Sequence, residues 1–326
     1  MFKATLMFTE RCNINCSHCC VNDHAYIGKN QDMSMENVYQ YIEQLHELSL
    51  QENQPFTLSF SGGEVFLRYQ DLKKAVTYAK QKGAYRISCM TNGFWGKDDQ
   101  QAKDWISELT EAGLHSIGFS LDDFHQEFIP IDSVYKAFEI CRELGLEIMI
   151  KSVITRSTRR LAEILKDLGD LTINMNLIVQ EIACIPEGRA IHQISSDDWW
   201  YEKGIPNEPC LAGIMLVIFP DGKTFPCCGT GWNQWLLLGN AQDTTLQDLF
   251  EKSRNRAICC LLRDKGPKYF VPYFDQIGYP LPKQGYVNYC HLCQTILTNK
   301  KVENILPQAI NDWREERVKN LFGDYL

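Results

Sequence analysis

The first two thirds of the chain alternate short apolar segments with longer amphipathic ones. The short segments are rich in apolar or β-branched residues and bounded by turn residues, so they predict six strands, at residues 3–8, 56–60, 85–90, 116–119, 147–153 and 171–179. Between them apolar residues recur at helical spacing, and four of these stretches end at a glycine: Gly83, Gly113, Gly145 and Gly169. Such alternation predicts parallel strands with right-handed crossovers. We therefore predict an α/β fold, a partial TIM-like (β/α)6 barrel.

A different pattern begins at about residue 195, where the alternation stops. A β-hairpin is predicted over residues 214–225, with Pro220-Asp221-Gly222-Lys223 as its turn. Helical stretches follow near residues 245–262 and 302–321. The sequence therefore predicts two domains, the barrel at residues 1–195 and a small α+β domain at residues 196–326.

Composition narrows the class of protein. The chain has 326 residues, 14 of them cysteine, and a formal net charge of −8. The acidic balance argues against a protein that binds nucleic-acid backbones. The longest near-continuous apolar run, residues 211–219, is too short to span a bilayer, and nothing resembles a signal peptide. We predict a cytoplasmic protein with neither a nucleic-acid nor a membrane partner.

The cysteines indicate metal–thiolate chemistry rather than disulfides. Three pairs are adjacent in sequence: Cys19-Cys20, Cys227-Cys228 and Cys259-Cys260. Adjacent cysteines rarely adopt disulfide geometry without strain. The triplet Cys12-x3-Cys16-x2-Cys19 follows the first predicted strand, and three such thiolates suit an iron–sulfur cluster that leaves one iron open to an external ligand. A structural zinc site, with Cys20 or His18 as fourth ligand, is the alternative.

Polar clusters follow three more of the predicted strands. They are Ser61-Gly62-Gly63-Glu64 after the second, Thr91-Asn92-Gly93 after the third and Ser120-Leu121-Asp122-Asp123 after the fourth. Active sites of barrels lie at the carboxyl ends of the strands, so we expect these clusters on one edge with the cysteine triplet. The two glycines allow a backbone to approach a ligand closely, and Glu64 can accept a hydrogen bond from an ammonium group.

Together these motifs resemble the radical SAM superfamily, whose cysteine triplet matches Cys12, Cys16 and Cys19 and whose Gly-Gly-Glu motif matches residues 62–64. The resemblance implies a partial (β/α)6 barrel in which the three cysteines hold a [4Fe–4S] cluster and the open iron chelates S-adenosylmethionine (SAM). One electron then cleaves SAM to methionine and a 5′-deoxyadenosyl radical. The residues implied to lie near SAM or substrate are Ser61, Gly62, Gly63, Glu64, Asn92, Ser120, Asp122 and Lys151, with His18 packed over the adenine.

A second group of cysteines lies in the C-terminal region. Cys210 and Cys227 flank the predicted hairpin, and Cys290-His-Leu-Cys293 follows, so four thiolates are available to one cluster. The spacing from Cys210 through Gly222 to Cys227 resembles the auxiliary-cluster domain of SPASM/Twitch radical SAM enzymes. Position 299 is Asn and no cysteine follows Cys293, which matches the shorter Twitch form with one auxiliary [4Fe–4S] cluster. A structural zinc on the same thiolates is the alternative.

The remaining cysteines receive lesser roles. Cys259 and Cys260 lie in a predicted helix and are reserve ligands for the auxiliary cluster. Cys89, Cys141 and Cys184 are predicted to be buried core residues, an ordinary place for a free cysteine. Arg189 has two open roles, binding a carboxylate of SAM or substrate, or forming a surface salt bridge.

Cys228 is the candidate catalytic residue. If Cys227 faces the auxiliary cluster, Cys228 faces the other way in an extended chain. Its weak S–H bond can donate a hydrogen atom to a carbon radical, and the neighbouring cluster offers a route to re-reduce the thiyl. Abstraction on one face and donation on the other inverts a stereocentre.

The stretches Thr91-Asn-Gly-Phe-Trp-Gly96 and Phe225-Pro-Cys-Cys228 are similar to those of radical SAM peptide epimerases of the EpeE/YydG type. This resemblance implies conversion of L- to D-residues in a ribosomally made precursor peptide, with Cys228 as hydrogen donor. It also implies an electron donor such as flavodoxin or ferredoxin. The alternatives are a peptide-crosslinking enzyme that forms thioether or C–C bonds, and a two-electron dehydrogenase of a small molecule.

Overall fold

A parallel sheet is the centre of the protein. The computed structural model describes residues 1–21, 29, 31–169, 177–210, 212–227 and 232–323. Within these described residues, nine strands form one sheet in the order β6-β5-β4-β3-β2-β1-β7-β8-β9. Their bounds are β1 Phe2–Thr9, β2 Phe56–Gly62, β3 Arg86–Thr91, β4 Ser116–Ser120, β5 Glu147–Ile154, β6 Leu177–Ala183, β7 Leu216–Ile218, β8 Lys223–Phe225 and β9 Gly239–Asn240.

Helices between the strands of the barrel cover one side of the sheet, and further helices follow in the C-terminal region. Their bounds are α1 Met35–Gln51, α2 Tyr69–Gln81, α3 Asp99–Ala112, α4 Asp123–Gln126, α5 Ile131–Glu143, α6 Leu161–Asp167, α7 Ala190–Gln193, α8 Leu246–Asn255, α9 Ala257–Lys265, α10 Tyr289–Thr298, α11 Lys300–Glu303 and α12 Leu306–Phe322. None of these described helices is both long and apolar enough to cross a membrane.

The first five predicted strands are confirmed, each within two residues of its predicted ends. The sixth is confirmed where it can be compared: β6 spans Leu177–Ala183, four residues beyond the predicted end, and residues 171–176 lie outside the described part of the chain. The sequence did not predict the polar C-terminal part of β6, because a charged residue such as Glu181 argues against a strand. Its carboxylate instead accepts a hydrogen bond from the Leu161 N–H. The four predicted glycine ends are confirmed, since all four have positive φ: Gly83, Gly113, Gly145 and Gly169.

The longest helix that the sequence analysis does not predict is α1. Its N-terminus is capped by Ser34, whose hydroxyl accepts from the backbone N–H of Asn37 at 3.1 Å. Its buried face consists of Val38, Tyr41, Ile42, Leu45 and Leu48. This apolar stripe packs into the same core as the buried face of the sheet.

The pairing register separates two faces of the parallel sheet. One face is apolar and packs against the helices, through Leu6, Leu58, Ile87, Ile117 and Ile148. The opposite face, which we call the open face, carries a row of aligned polar residues: Thr5, Ser59, Ser88, Ser116 and Glu147. All of this row except Ser116 is half-buried rather than buried. The open face is therefore the side of the sheet on which a ligand can lie.

The predicted hairpin is confirmed as β7 and β8, which pair antiparallel. It does not form a separate sheet, because β7 also pairs parallel with β1, with Thr5 opposite Val217. Leu216, Ile218 and Phe250 complete the barrel core. The domain boundary at residue 195 stays a prediction, since the sheet continues beyond it.

Both C-terminal helical predictions cover two helices each. The stretch 245–262 is interrupted at Arg256, which has extended backbone between α8 and α9. The stretch 302–321 is divided between α11 and α12, and Pro307 lies in the first turn of α12, where its missing N–H costs no helical hydrogen bond. Helix α8 packs into the barrel core, whereas α9, α11 and α12 pack into a second apolar core that includes Cys259 and Cys293.

Candidate active site

Glu64 links the ends of two strands at the carboxyl edge. Its carboxylate is completely buried and accepts from the Phe66 N–H at 3.0 Å, the Thr91 hydroxyl at 2.9 Å and the Asn92 N–H at 2.7 Å. Burial raises the pKa of Glu64 to about 7, although the three hydrogen bonds lower it. Three hydrogen bonds within the protein thus orient the Glu64 carboxylate, and its expected role as acceptor for an ammonium group stays a prediction. We assign Glu64 to bracing β3 against the loop that follows β2.

The two glycines before Glu64 permit a close backbone crossing. A Cβ at Gly62 would lie 1.9 Å from the Thr9 carbonyl oxygen, and one at Gly63 would lie 2.0 Å from that of Arg11. The Gly63 N–H donates to Thr9 at 2.7 Å, and the Glu64 N–H donates to Arg11 at 2.8 Å. In the described residues the two glycines thus bring their backbone close to the start of the cysteine loop. Contact of Ser61, Gly62 and Gly63 with SAM stays a prediction.

The cysteine loop is held from two other elements. The Asn92 side-chain amide donates to the Asn13 side-chain oxygen at 2.9 Å and lies 4.0 Å from the Cys12 sulfur. Arg189 donates through its guanidinium to the Cys16 carbonyl and through its backbone N–H to Cys19, both at 3.0 Å. Arg189 is buried, so a surface salt bridge is the wrong reading of this residue. Sequence reasoning missed that Arg189 positions the cysteine loop.

The thiols of this loop suit a cluster. Cys16 is buried, whereas Cys12 and Cys19 are half-buried. Burial raises the pKa of Cys12 to about 12, and the nearby Glu64, Cys16 and Cys19 add to this effect. A positively charged metal centre would offset this effect at Cys12, and three thiols close together in one loop fit the predicted [4Fe–4S] cluster.

Histidines lie next to the buried cysteine of the triplet. Donor atoms of Cys16, His18 and His125 lie within 4.8 Å of one another, a set that also suits zinc, so the zinc alternative needs a metal analysis. His18 stacks on Phe124 at 4.7 Å between ring centroids, and burial lowers its pKa to about 4. Its Nδ1 has no hydrogen-bond partner among the described residues. Packing of His18 over an adenine stays a prediction.

Asp122 turns inward. It is 1% exposed and accepts from the Val153 N–H and the His125 N–H, both at 3.0 Å, and its Oδ1 lies 2.8 Å from His125 Nδ1. Burial lowers the pKa of His125, but Asp122 and Cys16 outweigh it and raise that pKa to about 10. Sequence reasoning missed His125, although the spacing Asp122-x2-His125 at the start of a helix is a signal for it.

Two further predicted residues lie on the open face. Ser120, the last residue of β4, and Lys151 within β5 are register partners, so their side chains point to the same side of the sheet. Both are half-buried. Their contact with SAM or substrate stays a prediction.

The four predicted auxiliary ligands lie close together. Cys290 and Cys293 are in the first turn of α10, and Cys210 packs against the apolar core that contains Cys293. Burial raises the pKa of Cys293, and the neighbouring Cys210, Cys227 and Cys290 raise it further. This grouping fits one cluster with four thiolate ligands, which stays a prediction.

The other cysteines separate into three groups. Cys89, Cys141 and Cys184 are buried, as predicted. Of the reserve ligands, Cys259 is buried in the second core, whereas the Cys260 sulfur lies 3.0 Å from the Arg254 carbonyl oxygen. Cys228 lies outside the described residues.

Comparisons with known proteins agree with this site. Residues 6–155 match the radical SAM superfamily. The chain is 22% identical to "Putative peptide biosynthesis protein YydG" of Bacillus subtilis (strain 168) over 318 residues, 95% of this chain and 96% of that protein. The solved structure "Native anSMEcpe with bound AdoMet" superposes with a TM-score of 0.61 at 19% identity, covering 96% of this chain and 100% of the other. "Native anSMEcpe with bound AdoMet and Cp18Cys peptide" gives 0.59 at 19% identity, with 97% and 99% covered.

The chain therefore contains a radical SAM domain, as the cysteine triplet and the Gly-Gly-Glu motif predicted. The predicted fold class is confirmed as well, because the parallel sheet is that of a TIM-like radical SAM barrel and the anSMEcpe structures share the fold. The radical SAM match over residues 6–155 implies SAM and a [4Fe–4S] cluster.

We expect Glu64→Gln to lower the free energy of unfolding by about 1–3 kcal/mol at pH 5, because the amide group faces backbone donors. The raised pKa of Glu64 favours its neutral form, so its contribution is fully present below about pH 4.5 and is lost as the pH rises through about 7. The difference between wild type and variant should therefore narrow over that window.

Chemical denaturation between pH 4.5 and pH 8 measures this difference. The matched control is Glu47→Gln, an exposed glutamate on α1, which should unfold like the wild type at every pH. A Glu64→Gln difference that does not vary with pH would contradict the inward placement of this carboxylate.

Proposed function

We propose that the protein is a radical SAM peptide epimerase that converts L-residues to D-residues in a ribosomally made peptide. The similarity to a peptide biosynthesis protein extends over 95% of the chain, which supports a peptide substrate. The anSMEcpe fold has been solved with a peptide bound, which supports the same class of substrate.

The proposed cofactors are SAM, its [4Fe–4S] cluster and one auxiliary [4Fe–4S] cluster. Cys12, Cys16 and Cys19 would hold the first cluster, and SAM bound there would supply the 5′-deoxyadenosyl radical needed to remove a hydrogen atom from a peptide Cα. Ser120 and Lys151 lie where the open face meets the carboxyl edge and contact SAM or the peptide. The auxiliary cluster is held by Cys210, Cys227, Cys290 and Cys293.

The packing of the hairpin is the observation that carries this proposal. Val217 and Phe225 of the hairpin share one apolar cluster with Met7 of β1, and Cys19 packs against it. The strand pairing joins the same hairpin to β1. Cys227 comes two residues after β8, so it directly follows a hairpin that packs against the cysteine loop. This position supports the proposal that the next residue, Cys228, is the hydrogen donor.

The hydrogen return assigned to Cys228 is a one-electron step. The S–H bond breaks homolytically and a C–H bond forms on the face opposite to abstraction, so the carbon radical is quenched and the configuration inverts. The sulfur radical that remains takes up one electron and one proton to restore the thiol. A reduced flavodoxin or ferredoxin is the proposed source of electrons, and a reducing cytoplasm is the proposed location.

A reaction in heavy water with the precursor peptide tests the activity. We expect the product to gain about one mass unit for each D-residue, because the hydrogen returned by a thiol exchanges with solvent. In ordinary water the mass should not change. Mass spectrometry and chiral amino-acid analysis measure both results, and loss of two hydrogens in either solvent would replace epimerisation with crosslinking or dehydrogenation.

We expect Cys228→Ala to form 5′-deoxyadenosine but no D-residue, because abstraction needs the first cluster whereas inversion needs the thiol. Cys260→Ala is the matched control, because the Cys260 thiol donates to the Arg254 carbonyl oxygen. This variant should epimerise the peptide normally. Chromatography of both products checks the prediction. Unimpaired epimerisation by Cys228→Ala would remove this residue from the mechanism.

Metal analysis tests the second cluster. The reconstituted wild type should contain about eight iron and eight sulfide per chain, because each cubane has about four of each. We expect Cys290→Ser combined with Cys293→Ser to retain about half of both, while Cys260→Ser retains all. Stoichiometric zinc in place of either cluster would favour the structural-zinc alternative.

A further inference from the structure

His125 contacts both a buried carboxylate and a cysteine of the first cluster site. Its Nδ1 lies 2.8 Å from Asp122 Oδ1, and a ring nitrogen belongs to the donor set within 4.8 Å that includes Cys16. Asp122 is 1% exposed and Cys16 is 5% exposed. The proposed epimerisation assigns no role to His125, so this contact needs an explanation of its own.

The imidazole is held both by a carboxylate bonded to the sheet and by a ring of the cysteine loop. Asp122 caps α4 through the His125 N–H and also accepts from the Val153 N–H of β5, both at 3.0 Å. The His18 ring packs edge-on against the imidazole, with 4.9 Å between the ring centroids. These contacts leave His125 little rotational freedom, so its orientation toward Cys16 is set before any cofactor binds.

We propose that His125 is a positioning residue for the SAM cluster, which donates a hydrogen bond to the Cys16 sulfur while Asp122 holds its ring in place. A hydrogen bond to a cluster sulfur raises the reduction potential, because it stabilises the more negative reduced state. His125 thus makes the first cluster easier to reduce by the electron donor. The inference rests on the radical SAM domain and not on the identity of the substrate.

The test measures the cluster itself. A redox titration follows the electron paramagnetic resonance signal that responds to added SAM, which separates the first cluster from the auxiliary one. We expect His125→Phe to make one-electron reduction about tenfold less favourable, a potential lower by about 59 mV. Proton double-resonance spectra in ordinary and heavy water should show one exchangeable proton coupled to the wild-type cluster and none in the variant.

Two further variants complete the comparison. His125→Gln keeps an N–H donor and should recover part of the potential and of the proton coupling. His192→Gln changes an exposed histidine of α7 and should behave like the wild type. If His125→Phe keeps its iron but also keeps the wild-type potential and coupling, the proposal is overturned.

A fourth variant decides the matter if His125→Phe loses its cluster. Asp122→Asn retains the imidazole but weakens the contact that orients it, so we expect a smaller fall in potential and a changed proton coupling. An unchanged potential and an unchanged coupling in Asp122→Asn would overturn the proposal.

Discussion

The position of the cysteine loop depends on a backbone crossing that only glycine allows. At Gly62 and Gly63 a Cβ would lie about 2 Å from carbonyl oxygens of Thr9 and Arg11, far inside van der Waals contact. The loop after β2 therefore lies directly on the chain that leaves β1. Glu64 extends this connection to Asn92 at the end of β3, and Asn92 returns to the cysteine loop through Asn13. The thiols are consequently placed by three strand ends rather than by the loop alone.

The difference between the two faces of the sheet explains where chemistry is possible. Aligned apolar residues pack one face of the sheet against the helices. The aligned residues of the other face are mainly serines and threonines, whose side chains are short. Gly118 is an exception, because a Cβ there would lie 2.2 Å from the Met90 sulfur, so the Met90 side chain covers this position. Small and polar residues thus leave room above the middle strands, next to the edge that carries the cysteines.

Local sequence signals predicted most of the strands and helices, but they did not predict which strands pair. Strand periodicity and glycine helix ends act over a few residues, so five strands and four helix ends followed from sequence. The joining of β7 to β1 connects residues more than 200 positions apart, and no periodicity records it. The spacing of the cysteines predicted their two groups, but nothing in the sequence predicted which way a carboxylate points. A glutamate that bonds to neighbouring strands and one that contacts a ligand look the same in sequence, as Glu64 illustrates.

The charged residues of the site are largely occupied within the protein. Glu64 and Asp122, both expected beside SAM, accept from backbone and side-chain donors of neighbouring elements, and Arg189 binds the cysteine loop. Contact of either carboxylate with the ammonium group of SAM stays a prediction. Such a group still needs a partner when water is excluded. We expect the open iron of the cluster to bind the amino and carboxylate ends of SAM, with main-chain groups and Ser120 or Lys151 left to position the rest of the molecule.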